Sequence, residues 1–138
     1  VNDELRDRLL RLNAAFVANE VQPDVAVRLA CDLLEAGVDS PALRELAGES
    51  PTRLTVRQVR PLVAAALAEL RLPVLTRHQV GWVLARDVAR QLISGELRRE
   101  LGANRLWIIG QWHGLDELKT ELAPEEIIRR AETQLAGW

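Results

Sequence analysis

A chain of 138 residues fits one domain with one core, and nearly half of its side chains are apolar. Its single cysteine, Cys31, excludes an intramolecular disulfide, and the longest apolar run, residues 61–68, is far too short to span a bilayer. The net charge of −2 hides an uneven spread, with five Arg against ten acids in 1–52, ten Arg against four acids in 53–105, and three basic residues against six acids in 106–138. That order favours neutralisation between helices over the strongly basic surface of a nucleic-acid binder.

The first segment places Leu5, Leu9, Leu12 and Phe16 three or four residues apart, behind Asp3, Glu4 and Asp7, which suit the positive end of a helix dipole. A four-turn amphipathic helix is predicted. A second helix starts at Gln22–Pro23 and runs through Val27, Cys31 and Leu34 to Gly37, which predicts that Cys31 faces the core. Ser40–Pro41 opens a short third helix that Gly48 closes, and Ser50–Pro51 repeats the same start chemistry at a turn.

Thr55 precedes Gln58 by three residues, and Thr76 precedes Gln79 likewise, so each pair predicts a capping box ahead of a longer helix. Pro61 implies a kink in the first of these helices or a start near Arg60. The second carries Val80, Val83, Leu84 and Val88 on one stripe, with Gly81, Ala85 and Ala89 giving a flat line for close approach, and stops at Ser94–Gly95.

A further helix is predicted from about Arg98 to Gln111, with Gly102 as a point of close contact. Leu101, Ile108 and Trp112 are expected to form its inner face, widened by Leu106 and Ile109. Trp107 and Trp112 lie about 140° apart around that helix, so at most one occupies the centre of the buried stripe and the other covers an edge or lines a groove. Leu115–Leu122 forms one or two turns, with Asp116 as a cap. Ala123–Pro124 starts a last helix burying Ile127, Ile128, Ala131 and Leu135, and Trp138 ends the sequence. No run alternates apolar and polar residues as a strand would. The expected fold is all-α, a single-domain bundle of six or seven helices spanning residues 1–138.

The stretches VRLACDLLEAGVDSPALRELAG (27–48), LARDVARQLISGEL (84–97) and GANRLW (102–107) together resemble a group of small all-helical proteins common in actinobacteria. The resemblance spans about half the chain and rests on helix-forming patterns. Relatives of that group carry an Asp-Pro cap after the GEL stretch, where this chain has Arg98–Arg99. The resemblance implies an interaction protein of the kind that accompanies toxin or conflict systems, and it transfers no functional residue.

Chemistry-bearing side chains are few. The two histidines, His78 and His113, fall at a helix start and a helix end, without a nucleophile spaced to partner them. His113, Asp116, Glu117 and Glu121 have a spacing common by chance and do not predict a metal site. The reading assigns no catalytic residue, no cofactor and no metal. It is of a non-enzymatic cytoplasmic protein-interaction module, an adaptor or immunity-type binding protein, acting through Arg98, Arg99, Trp107, Trp112 and Trp138. The cytoplasmic expectation follows from the lone thiol and the absence of a leader pattern. An exposed apolar groove also permits a homodimer. The alternative is an Arg-mediated nucleic-acid-binding regulator, using the helices that start near Thr55 and Thr76, with Arg77, His78 and Arg86 or Arg90 as contacts.

Overall fold

Seven α-helices and one turn of 3-10 helix make up the computed structural model, which describes residues 2–138 and has no strand among them. The order is α1 (Asp3–Val17), α2 (Pro23–Glu35), α3 (Pro41–Ala47), α4 (Val56–Glu69), α5 (Arg77–Ser94), α6 (Arg99–His113), the 3-10 turn Asp116–Lys119, and α7 (Pro124–Gln134). The all-helical class and the number of helices match the expectation from periodicity. By contact the helices group into two compact units, the first ending at Val74 and the second running Leu75–Trp138.

In the first unit, the Asn2 side chain accepts the Leu5 N–H at 2.8 Å, with Asp3 and Glu4 in the following turn. α1 buries Leu5, Leu9 and Leu12 as its spacing predicts. Asn13 is also fully buried, and its Nδ2 donates to the Pro73 carbonyl at 2.8 Å. Phe16 is only half-buried, and the Arg60 guanidinium covers its ring at 4.5 Å from the centroid. α1 is tied to α2 by Arg8 Nη1 donating to Asp32 Oδ2 at 2.7 Å.

α2 buries Ala26, Val27, Leu29, Ala30 and Leu33. Cys31, expected in the core, is exposed, with its Sγ 3.8 Å from the Ala47 carbonyl. The inner arc of α2 is centred on Ala26, Ala30 and Leu33, which turns Cys31 outward. At the start of α3, Ser40 Oγ accepts the Leu43 N–H at 3.1 Å, and Glu69 from the end of α4 accepts the Ala42 N–H at 2.8 Å. α4 begins at Val56 behind the Thr55–Gln58 capping box, with Pro61 inside it, so the start near Arg60 does not occur. Pro61 is the sixth residue of the helix and is exposed, so its missing N–H costs one bond close to the helix start.

In the second unit, α6 and α7 both pack on α5, and the 3-10 turn packs on α6. The Thr76–Gln79 capping box opens α5, and Gly95, in the left-handed region at φ +80°, closes it. α5 buries Val80, Trp82, Val83, Ala85, Val88 and Ala89, and α7 adds Ile127 and Ala131, with Leu135 just beyond its end. Gly81, Ala85 and Ala89 are all buried, as a line of close approach requires. A Cβ on Gly81 would lie 2.6 Å from His113 Cβ. Within α7, Glu126 accepts from both Arg129 and Arg130, the latter at 2.9 Å. These two guanidinium groups, Arg129 first, hold its carboxyl down at about 2, against an ordinary 4.5.

Candidate interaction surface

α6 is apolar almost all the way round, so spacing alone does not select its inner side. Its buried line is Gly102, Leu106 and Gly110, four residues apart. The glycines explain this choice. A Cβ at Gly102 would fall 2.3 Å from Leu92 Cδ2 on α5, and one at Gly110 would fall 2.7 Å from the Leu115 carbonyl oxygen. Side-chain-free positions let α6 approach the end of α5 and the chain returning after Gly114 far more closely than larger residues would allow.

The consequence is a correction. Leu101, Ile108 and Trp112, expected to form the inner face, are 43%, 42% and 68% exposed. Leu101, Arg105, Ile108 and Trp112 follow one another at helical spacing along a single outward ridge. Trp107 is 50% exposed on the far flank, where Lys119 Nζ lies 5.8 Å from its ring and 3.4 Å from Asp116 Oδ1. Neither Trp107 nor Trp112 therefore belongs to the core, whereas Trp82 does.

Arg98 is the N-cap residue of α6 and Arg99 its first residue, and both are exposed. Four of the five residues predicted to bind a partner thus lie on α6 or its cap. Trp138 lies on a different element, following α7. It is half-buried, and its N–H donates to the Leu135 carbonyl at 3.3 Å. Leu101, Arg105, Ile108 and Lys119 were not predicted as surface contributors. The readable signal was the Gly-x3-Leu-x3-Gly line, whose glycines mark the side of closest approach.

Arg98 and Arg99 at the start of α6 and Arg105 midway along it are exposed. After Gly114 the chain folds back on α6, with Leu118 and Lys119 beside Gly110, and Asp116, Glu117 and Glu121 are exposed there. Among the described residues no ion pair engages Arg98, Arg99, Arg105, Glu117 or Glu121, and Asp116 pairs with Lys119. At the α6 terminus, Arg77 Nε donates to the Trp112 carbonyl, and His113 Nδ1 lies 3.1 Å from the Arg77 carbonyl. The two histidines are neighbours there, since a Cβ on Gly114 would meet His78 Nε2 at 3.2 Å. These contacts fix the helix end against α5 and bring no nucleophile to either ring.

The residues proposed for nucleic-acid contact are divided. α4 belongs to the first compact unit and α5 to the second. Arg86 is 6% exposed within α5, out of reach of a polyanion, while Arg77, His78 and Arg90 are exposed. Among the described residues no group of three or more His, Cys, Asp or Glu side chains is placed to hold a metal ion, and no helix is long and apolar enough to cross a membrane. No family model, curated protein or solved structure matches this chain.

Proposed function

We propose that the protein is a non-enzymatic interaction module, an adaptor or immunity-type binding protein working in the cytoplasm, and that α6 is its binding element. The observation that carries this reading is the outward ridge of Leu101, Arg105, Ile108 and Trp112, with the exposed Trp107 on another side of the same helix and the exposed Arg98 and Arg99 at its start. Exposed tryptophans and arginines are the side chains that most often dominate binding energy at protein interfaces. Leaving such a surface in water costs solubility, and covering it with a protein partner removes that cost.

The test is affinity capture from the native host, with and without nuclease, using the wild-type chain and a Trp107→Ala, Trp112→Ala variant. A protein partner retained through nuclease treatment by the wild type and lost by the variant is the expected result. A partner that disappears with nuclease would replace this reading with nucleic-acid binding. Capture unaffected by the two substitutions would remove α6 from the function.

A further inference from the structure

We infer that the partner of α6 is an amphipathic helix carrying two carboxylates about two turns apart, with apolar side chains between them. This rests on the reading of α6 as the binding element and assigns the chemistry of its partner. Arg98, Leu101, Arg105, Ile108 and Trp112 follow one another in steps of three, four, three and four residues. At about 100° per residue they fall within an arc of about 80°, turned away from the buried Gly102, Leu106 and Gly110. This is the spacing by which one helix offers a seam to another, and the seam runs about 21 Å.

The charge of that seam selects the partner's side chains. Arg98 and Arg105 are exposed and engaged in no ion pair among the described residues. Glu100, the one acidic residue of α6, falls outside the arc, on the side of Trp107. An uncharged apolar helix laid on the seam would strip water from both guanidinium groups and return nothing, whereas a carboxylate opposite each accepts charge-assisted hydrogen bonds. Leu101 between the arginines, and Ile108 and Trp112 after them, then bury against apolar side chains of the same partner. A nucleic-acid strand would meet the arginines but leave Leu101 and Ile108 facing phosphates. A second copy of this chain fits poorly, because parallel and antiparallel pairing of the seam both set Arg105 against its own equivalent.

Selection from a display library of helical peptides of about 20 residues, randomised along one face, tests this on the full chain. Circular dichroism confirms the fold of each variant. The wild type is expected to enrich peptides with Asp or Glu about two turns apart and Leu, Ile or Phe between them. Calorimetric titration of the most enriched peptide should show binding weakened at least tenfold by Trp112→Ala, and at least tenfold by Arg98→Glu combined with Arg105→Glu. Selection repeated on that charge-reversed variant should enrich Lys or Arg at the same two peptide positions. Recovery of no helical peptide, of peptides without the paired acids, or of peptides indifferent to Trp112→Ala overturns the inference. In any of those cases, capture of a host protein through Trp107 and Trp112 leaves the interaction reading standing, and capture indifferent to them removes both.

Discussion

Three positions show how much a single side chain decides. At Gly110 an added methyl group meets the Leu115 carbonyl oxygen at 2.7 Å, a backbone atom that cannot swing away, whereas at Gly102 it meets the Leu92 side chain, Cδ2 at 2.3 Å and Cγ at 2.8 Å, which a change of rotamer can move aside. Gly110→Ala is therefore expected to lower stability by about 2 kcal/mol, even after the better helix propensity of alanine is counted, while Gly102→Ala stays within about 1 kcal/mol of the wild type in urea denaturation. Asn13, fully buried and donating to Pro73, is a second such position. Asn13→Ala removes that bond and leaves a small cavity, and a loss of about 2 kcal/mol is expected by the same measurement. At Glu126 the effect depends on pH. Its carboxyl is depressed to about 2 by Arg129 and Arg130, so its contribution is complete above the ordinary value of 4.5 and fades as pH falls toward 2. A carboxyl titration followed by NMR should show the low midpoint, and Glu126→Gln should lose this part of the acid sensitivity of the melting temperature.

At the scale of the element, the helix starts were the most legible part of the sequence, because each is set by chemistry within four residues. Ser40, Thr55 and Thr76 cap as their neighbours require, and Pro23, Pro41 and Pro124 open helices where a missing N–H costs nothing. Thr55→Ala and Thr76→Ala should each cost about 1 kcal/mol in thermal or urea unfolding. The facing of a helix is harder to read when apolar residues surround it. α6 has Leu101, Leu106, Trp107, Ile108, Ile109 and Trp112 spread over most of its circumference, so a stripe drawn through the largest of them selected the outer side. What fixed the orientation was the pair of glycines, whose value lies in a partner backbone or side chain that the sequence does not identify. Cys31 turned outward for a related reason, because the alanines of α2 mark its close-packed side more reliably than its larger residues do. The ridge on α6, and with it most of the candidate surface, was thus hidden in residues that spacing had assigned to the interior.

Across the whole molecule, the helices were legible as one class of fold, and their division at Val74–Leu75 was not. The short segment between α4 and α5, residues 70–76, is mostly apolar with one proline and carries no composition break that marks a boundary, and only contacts distant in sequence reveal where one cluster of side chains stops. Each unit buries its own large residues, Leu29, Leu33, Leu46, Val59, Val63 and Leu67 in the first and Trp82, Val83 and Ile127 in the second. Leu33→Ala is accordingly expected to cost about 3 kcal/mol and to speed amide hydrogen exchange in α1–α4 while α5–α7 keep most of their protection. Uniform acceleration along the chain would instead show that the two clusters open together.

All four tryptophans lie in the second unit, one sealed within α5 and two standing in water on α6. The protein therefore carries its own optical label at the place where contact is proposed. Trp107 and Trp112 should emit toward the red when α6 is bare and shift to the blue when it is covered, over the signals of the buried Trp82 and the half-buried Trp138. Whatever settles on that helix announces itself in the colour of its light, without a dye and without a modified chain.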